Sequence, residues 1–244
     1  MLIGYCGAHR TGKTTLAKKT AEYYGKMFVA TEVGNFLASQ NIEPISLQHT
    51  TWDFFVDIQR RTIRYLCNLA KSLKEKSSAS ETTDTALHNK DSVIFVDRTP
   101  LDALAYTQAF FSSKDFEYLR NNPMFHNVME ECEKEAMEGM KYFDAVFVVQ
   151  PGIAICPEHN KALPDVTYME QLNKLIIGNA YAFLANQGNM EEDVILTPRI
   201  SVIPKHILPL EDRIAYLDDI FGYEFGMEKY NNVRPDRYAS GVEP

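Results

Sequence analysis

The sequence predicts an α/β protein with one doubly wound, five-stranded parallel sheet and helices on both faces. Short apolar runs, rich in β-branched and aromatic residues, alternate along the chain with longer amphipathic runs. Such short runs, bounded by polar or turn residues, are typical of strands that are buried on both sides. Right-handed crossovers then place the helices on both faces of the sheet. A third observation is the glycine-rich turn at residues 7–12, between the first apolar run and the first helical pattern.

Each element follows from its local pattern. The predicted strands are residues 1–6, 26–31, 91–97, 143–149 and 193–197. Apolar residues at spacings of three and four predict helices over residues 13–24, about 47–75, 168–184 and 210–221. Polar, weakly patterned residues predict a flexible loop at about 76–91 and a C-terminal tail at 226–244. We therefore expect one domain over residues 1–225.

Composition narrows the classes of function. The chain has 244 residues and a net charge of −8, which opposes sequence-blind binding to nucleic acid because such binding needs a basic face. Its four cysteines lie far apart without a CxxC pair, which indicates reduced thiols and not a disulfide or zinc framework. No apolar run approaches the roughly 20 residues that span a bilayer, and no signal-peptide pattern opens the chain. We expect a cytoplasmic protein without a membrane partner.

Residues 7–14 read Gly-Ala-His-Arg-Thr-Gly-Lys-Thr and fit the phosphate-binding loop pattern G-x-x-x-x-G-K-[ST]. A predicted strand precedes the loop and a predicted helix follows it. Glycines let successive backbone N–H groups converge on an anion, and the helix N-terminus adds further N–H groups and a positive dipole end. We expect Lys13 to bridge the β- and γ-phosphates of ATP. The predicted nucleotide-binding residues are Gly7, Ala8, His9, Arg10, Thr11, Gly12, Lys13, Thr14 and Thr15.

Asp97 ends the third predicted strand, in "VIFVD". In a phosphate-loop protein an acidic residue here holds Mg²⁺, directly or through water, together with the loop hydroxyl. The sequence therefore predicts Thr14 and Asp97 as magnesium ligands. Asp97 is also placed to cap a helix formed by the following "PLDALAY", and one side chain could serve in both ways.

Two further stretches resemble nucleoside and nucleotide kinases. "VDRTPLDALAYTQ" (96–108) resembles the Asp-Arg-Tyr/Ser…Ala-Tyr-Gln segment of thymidylate kinases and the Glu-Arg-Ser segment of deoxynucleoside kinases, with the glutamine displaced by one position to Gln108. "VATEVG" (29–34) resembles the stretch after the second strand in nicotinamide riboside kinases and deoxynucleoside kinases, where an acidic residue meets the substrate hydroxyl. The coarse resemblance covers residues 1–222 and implies a P-loop NTPase fold with a lid at about 150–170, between strands 4 and 5.

The resemblance implies catalytic roles for Lys13, Asp97, Glu32 and Arg98. Glu32 would orient or deprotonate an acceptor hydroxyl at the carboxyl ends of the strands; the alternative is a helix-capping or surface carboxylate. Arg98 would reach an acceptor phosphate or the transferring group; the alternative is a salt bridge to a neighbouring carboxylate.

The long predicted helix carries "WDFFVDIQRR" (52–61). By loose resemblance to deoxynucleoside kinases, Gln59 would pair with the edge of a base while Trp52, Phe54 or Phe55 stacks on it. The alternative is that the aromatic residues pack in the core, while the Gln-Arg-Arg segment at 59–61 is solvated. The basic side chains of Arg60, Arg61 and Arg64 either bind a second phosphate or pair with carboxylates.

Residues 121–198 contain no arginine, which departs from the arginine-rich lid of related kinases. Lys161 could replace the missing charge, Arg10 could supply it from the loop, or the lid could be non-catalytic. Residues 197–204 lie where related kinases wrap the adenine, and Arg199 is a candidate to stack on it.

These residues predict an ATP- and Mg²⁺-dependent P-loop kinase that acts on a nucleoside, nucleotide or related ribosyl compound. One alternative acceptor is a hydroxyl of a polynucleotide, on a modified base or at a 5′ end. Another alternative is an NTPase switch without an acceptor. The oligomeric state stays open, with a homodimer among the possibilities.

Overall fold

The computed structural model describes residues 1–42, 52–80, 93–113, 122–152, 165–187 and 198–227, which form five strands and seven helices. The strands are β1 (Leu2–Cys6), β2 (Met27–Val29), β3 (Ile94–Val96), β4 (Ala145–Val149) and β5 (Arg199–Ile203). The helices are α1 (Lys13–Tyr24), α2 (Val33–Ser39), α3 (Trp52–Ser80), α4 (Pro100–Ser113), α5 (Pro123–Met140), α6 (Val166–Gln187) and α7 (Leu210–Phe225).

The five strands form one sheet in the order β2-β3-β1-β4-β5, and every neighbouring pair is parallel. This confirms the predicted sheet. The chain builds outward from β1 on one side through β3 and β2, and on the other side through β4 and β5. A crevice therefore opens at the carboxyl end of β1, where ligands collect in open α/β sheets.

Successive residues of β1 point to opposite faces, and each face is covered by helices. Leu2 and Cys6 belong to the cluster that packs under α3, α4 and α6. Ile3 and Tyr5 belong to the cluster that packs under α1 and α7. All five residues of β1 are buried, which explains why the strand is an almost continuous apolar run.

The opposite, amino-terminal edge of the sheet is fixed by one carboxylate. Asp144 accepts hydrogen bonds from Lys74 Nζ at 2.6 and 2.7 Å and from the backbone N–H of Leu2 at 2.6 Å. Its carbonyl oxygen accepts the backbone N–H of Arg199 at 3.0 Å. This edge is the far end of the sheet from the glycine-rich loop.

The position of the fifth strand differs from the prediction. Residues 193–197 lie outside the described residues, and the strand that pairs with β4 is Arg199–Ile203, in register from Ala145↔Arg199 to Val149↔Ile203. Residues 199–203, which lie within the stretch expected to wrap a base, therefore form this strand. Both stretches are short and β-branched, so local pattern alone does not choose between them.

Other boundaries also differ. Helix α3 continues to Ser80, so residues 76–80 of the expected loop are helical, and the remainder of that loop lies outside the described residues. Helices α2 and α5 had no counterpart in the prediction. The central part of the expected lid, residues 153–164, lies outside the described residues, as do residues 228–244. Among the described helices, none is long and apolar enough to cross a bilayer.

Candidate phosphate-binding and acceptor site

The loop between β1 and α1 requires glycine at both ends. Gly7 has φ 152°, and a Cβ atom there would lie 2.3 Å from the carbonyl oxygen of Val149. Gly12 has φ 83° and directly precedes the first residue of α1. Between them Arg10 also has a positive φ, of 60°. This backbone turns tightly around the N-terminus of α1, as an anion-binding loop does.

Lys13 folds back over this loop. Its Nζ donates to the carbonyl oxygens of Gly7 at 2.6 Å and Ala8 at 2.9 Å, and it lies 3.7 Å from Asp102 Oδ1. The side chain is 8% exposed. Burial lowers the pKa of Lys13, and the negative charge of Asp102 partly offsets that effect. A buried ammonium group is thus held over the predicted phosphate site.

Thr14 and Asp97 are brought together as predicted. The Thr14 hydroxyl donates to Asp97 Oδ2 at 2.8 Å. The other oxygen, Oδ1, accepts the backbone N–H and the hydroxyl of Thr31 at 2.9 and 3.0 Å. The described hydrogen bonds of Asp97 therefore go to the loop and to the end of β2, while the capping contacts at α4 come from Thr99 and Asp102.

Asp102 is a site residue that the sequence analysis did not identify. Its Oδ1 accepts the backbone N–H of Gly7 at 3.1 Å, and its Oδ2 accepts the backbone N–H and hydroxyl of Thr99 at 2.8 and 3.3 Å. Burial raises the pKa of Asp102, while Lys13 lowers it. The spacing Thr99-x-x-Asp102 is that of a capping box, which could have drawn attention to it. The carboxylate joins the first turn of α4 to the glycine-rich loop.

A cavity of about 180 Å³ opens beside the loop, between α2, α3 and α4. Its walls combine apolar side chains with a few polar groups. It is lined by Val33, Leu37, Gln59, Thr62, Leu66, Arg98, Asp102, Ala103 and Tyr106. Because Asp102 contacts both Gly7 and this cavity, the cavity adjoins the predicted phosphate site.

Two predicted substrate residues, Gln59 and Arg98, line this cavity. Within the described residues, Arg98 forms no salt bridge, and its charge acts on Lys13, Asp102 and His9. The alternative in which Arg98 pairs with a neighbouring carboxylate therefore finds no support among the described residues. Its guanidinium is available to a ligand in the cavity.

Glu32 lies between Thr31, which is bonded to Asp97, and Val33, which lines the cavity. It has φ 44°, precedes the first residue of α2, and is exposed. Its Oε2 accepts a hydrogen bond from Asn35 Nδ2 at 2.9 Å. These contacts fit the alternative of a surface carboxylate at the start of a helix, and the catalytic role of Glu32 stays a prediction.

Two predicted contact residues do not reach the site. Phe55 is 5% exposed and stacks on Phe110 with 3.6 Å between ring centroids, so its ring belongs to the core and the predicted base-stacking role is wrong. Arg199 lies at the amino end of β5, with its guanidinium 5.4 Å from the ring centroid of Phe225, so the predicted adenine contact is also wrong. The side chain of Trp52 lies outside the described residues.

The basic cluster on α3 pairs with carboxylates. Arg60 contacts Glu131 at 2.5 Å, and Arg64 contacts Glu135 at 3.0 Å; both acids are on α5. Arg61 contacts Asp57, one turn earlier on α3, at 2.8 Å. The alternative in which these arginines pair with carboxylates is therefore the one that the structure supports.

His9 lies on the α4–α6 side of the loop. Its Nδ1 is 3.2 Å from the hydroxyl of Tyr106, and its ring centroid is 6.0 Å from that of Tyr168. Burial lowers the pKa of His9, as do the nearby cations, whereas Asp165 raises it. The imidazole of His9 thus contacts a residue, Tyr106, that also lines the cavity.

Residues 3–177 match the model of a family described as an AAA domain. The chain belongs to this AAA domain family. The match includes the glycine-rich loop, Asp97 and the cavity-lining residues of α2, α3 and α4.

Solved structures share the fold of this AAA domain. It superposes on the NadR protein, solved in complex with NAD and AMP-PNP, with a TM-score of 0.51 at 16% identity, over 96% of this chain and 51% of that one. It superposes on thymidylate kinase from Candida albicans with a TM-score of 0.51 at 13% identity, over 95% of each chain. A deoxyadenosine kinase from M. mycoides gives a TM-score of 0.45 at 14% identity, over 91% of this chain and 99% of that one.

The two superpositions with a TM-score of 0.51 confirm the predicted P-loop kinase fold. The AAA domain spans about half the length of the NadR protein. No curated protein matches its sequence significantly.

Proposed function

We propose that this AAA domain is an ATP- and Mg²⁺-dependent phosphotransferase. It moves the γ-phosphate of ATP to a hydroxyl or phosphate of a nucleoside, nucleotide or related ribosyl compound. One observation carries the proposal: the glycine-rich loop adjoins a cavity that is lined by Arg98, which forms no salt bridge among the described residues. A donor site and an acceptor site thus share one wall.

The loop holds the triphosphate of the nucleotide. Its backbone N–H groups and the N-terminus of α1 face the anion, as the positive φ angles at Gly7 and Gly12 allow. Lys13, now over the carbonyl oxygens of Gly7 and Ala8, reaches the β- and γ-phosphates instead. It neutralises charge that collects on these oxygens during transfer.

The residues present fit a magnesium ion. Mg²⁺ prefers hard oxygen ligands, and the Thr14 hydroxyl and Asp97 carboxylate lie 2.8 Å apart at the start of α1. Thr31 holds the second oxygen of Asp97, which fixes the orientation of the carboxylate. When bound, the ion neutralises phosphate charge and helps to orient the terminal phosphate.

The cavity receives the acceptor. Its volume of about 180 Å³ is below the roughly 300–1,000 Å³ of drug-sized sites, so it suits one ring system with its attached polar group. Apolar side chains such as Leu37 and Leu66 cover the faces of a ring. Gln59 offers an amide to the edge of that ring, and Arg98 binds a phosphate of the acceptor.

In the transfer step the acceptor oxygen forms a bond to the γ-phosphorus. The bond between that phosphorus and the β–γ bridging oxygen breaks, and ADP leaves. When the acceptor is a hydroxyl, its proton passes to the carboxylate of Glu32. Positioning and charge neutralisation supply most of the rate enhancement in such reactions.

Proteins of the same fold lend context to this proposal. The NadR protein was solved with AMP-PNP, and the Candida albicans protein is a thymidylate kinase. The acceptor of this AAA domain nevertheless follows from its own cavity residues, since identity to either protein is low.

A phosphate-transfer screen with [γ-³²P]ATP tests the proposal. The purified chain is mixed with nucleosides, nucleotides, nicotinamide riboside, and single- and double-stranded DNA. We expect labelled product from at least one small acceptor. Phosphate release without any labelled product would indicate an NTPase switch, and label on DNA alone would indicate a polynucleotide acceptor.

Arg98→Gln tests the acceptor site within the same screen. We expect it to raise the KM of the acceptor at least tenfold and to leave the KM of ATP within about threefold. Arg61→Gln is the matched control, because Arg61 is exposed and pairs with Asp57 on the same helix. Equal KM values for the acceptor in wild type and Arg98→Gln would show that Arg98 does not bind the acceptor.

A further inference from the structure

Arg213 lies in the first turn of α7 and is 2% exposed, which makes it one of the largest fully buried side chains. Its three hydrogen bonds all go to backbone carbonyl oxygens. Nη1 donates to Thr11 at 2.8 Å, Nε to Ile207 at 2.8 Å, and Nη2 to Gln150 at 3.4 Å. One guanidinium thus joins the glycine-rich loop to the segments that follow β4 and β5.

The described hydrogen-bond partners of the buried Arg213 guanidinium are backbone carbonyl dipoles and not carboxylates. Among the described residues no carboxylate forms a salt bridge with Arg213, and burial lowers its pKa. Carbonyl oxygens satisfy its N–H groups but compensate a full positive charge incompletely. An anion bound nearby would provide the remaining compensation.

The contact with Thr11 indicates which part of the loop Arg213 acts on. In the trans peptide that joins Thr11 to Gly12, the carbonyl and the N–H point in opposite directions. Because the carbonyl of Thr11 points at Arg213, the N–H of Gly12 points away from it. A charged donor on the carbonyl polarises the peptide and makes its N–H a stronger donor.

We propose that Arg213 is a positioning residue that strengthens phosphate binding by the glycine-rich loop through the Thr11–Gly12 peptide. It supplies a second positive charge behind the loop, in addition to Lys13. This inference rests on the proposed binding of a triphosphate at the loop.

The location of Arg213 predicts which ligand it serves. Helix α7 packs on the face of the sheet covered by α1, whereas the acceptor cavity lies between α2, α3 and α4. Arg213 therefore acts on the nucleotide and not on the acceptor. Within the nucleotide it acts on the phosphates, because its contact is with the loop itself.

Two variants separate charge from hydrogen bonding. Arg213→Lys keeps the positive charge with fewer donors, and Arg213→Gln keeps an amide donor without the charge. The dissociation constants of MgATP and of magnesium tripolyphosphate are measured by titration calorimetry on the full chain, with tripolyphosphate also tested by displacement of ATP. Arg61→Gln again serves as the exposed control.

We expect Arg213→Gln to weaken both ligands at least tenfold and by similar factors, and Arg213→Lys to weaken both less than threefold. Unchanged affinity in Arg213→Gln would overturn the inference and leave the proposed function intact. So would a loss for ATP without a loss for tripolyphosphate, because Arg213 would then act on the nucleoside.

Thermal unfolding of each variant shows whether it folds. If Arg213→Gln does not fold, Arg213→Lys carries the test, and a tenfold or greater loss of tripolyphosphate affinity in it contradicts the role of charge. Absence of binding by the wild-type chain would overturn both the inference and the proposed function.

Discussion

Gly7 is the loop residue with the least room for a side chain. Its φ of 152° disfavours residues with a Cβ, and an added Cβ would meet the carbonyl oxygen of Val149 at 2.3 Å. That oxygen belongs to the end of β4 and cannot move without disturbing the sheet. The glycine is thus required by both conformation and space.

We expect Gly7→Ala to lower the free energy of unfolding by about 2–4 kcal/mol, from backbone strain and steric overlap together. The matched control is Gly178→Ala, since Gly178 is exposed within α6 and a Cβ there meets nothing within 4 Å. The control should be stabilised by about 0.5–1 kcal/mol, because alanine favours the helix. Urea denaturation measures both, and similar stability in the two variants would contradict the account of the loop.

His9 predicts a pH dependence of stability. Burial and the charges of Lys13, Arg10 and Arg98 lower its pKa below the ordinary value of 6.5, against the opposing charge of Asp165. Below pH 6.5 the unfolded chain therefore takes up a proton at His9 before the folded chain does. Its contribution to stability is present above pH 6.5 and is lost as the pH falls.

The comparison of wild type with His9→Gln isolates this contribution from the other histidines. As the pH falls from 7.5 to 5, the free energy of unfolding of wild type should decrease more than that of His9→Gln. Denaturant titrations at several pH values measure the difference. Parallel pH profiles for the two proteins would show that His9 does not titrate differently on folding.

At this scale the sequence predicted the residues that share a local motif. Thr14 and Asp97 meet as expected, because the loop motif and the end of a neighbouring strand fix their places. Asp102 could have been found from its capping-box spacing. Arg213 could not, because its partner Thr11 is 202 positions away and only the completed fold brings the two together.

Two residues one turn apart on the same face of helix α3 have different surroundings. Phe55 faces inward and stacks on Phe110 of α4, whereas Gln59 lies one turn later and lines the cavity. The amphipathic spacing predicted the helix itself. Which of its aromatic residues would stay buried depended on α4 and α5, and α5 was absent from the prediction.

Substitutions at these two positions should separate effects on stability from effects on acceptor binding. Phe55→Ala should cost about 3–5 kcal/mol of unfolding free energy, because it leaves a cavity between α3 and α4. Gln59→Ala should change stability by about 0.5 kcal/mol or less and raise the KM of the acceptor. Denaturation and steady-state kinetics measure the two effects. A Phe55→Ala protein of unchanged stability with weakened acceptor binding would contradict the assignment of Phe55 to the core.

The salt bridges between α3 and α5 are a separate feature. Arg60–Glu131 and Arg64–Glu135 lie at the surface, where water screens the pairs. Replacing both arginines by alanine should cost about 2 kcal/mol at most and leave the affinity for MgATP unchanged. Denaturation and calorimetry on the double variant check both expectations. A tenfold weaker affinity for MgATP would show that these arginines take part in nucleotide binding.

At the scale of the whole molecule, the strand order divides the site into two halves. The acceptor cavity lies on the side of β3 and β2, under α2, α3 and α4, and Arg213 lies on the side of β4 and β5. The glycine-rich loop after β1 stands between them. This arrangement allows a nucleotide and an acceptor to approach the same phosphate from opposite sides.

The sheet was predictable because parallel buried strands have a strong local signature, whereas the strand order, with β1 at the centre, comes from the structure alone. Residues 193–197, where the fifth strand was predicted, and residues 199–203 have similar β propensity. Pairing with β4, which runs from Ala145 to Val149, identifies residues 199–203 as the fifth strand of the described sheet. Long-range pairing of this kind is not encoded in any short window of sequence.

Titration calorimetry with MgATP tests the central claim most directly, with wild type compared against Lys13→Met. We expect saturable binding at one site in the wild-type chain and at least a hundredfold weaker binding in Lys13→Met, with both proteins folded by circular dichroism. No heat of binding in the wild type, or equal affinity in the two proteins, would contradict it.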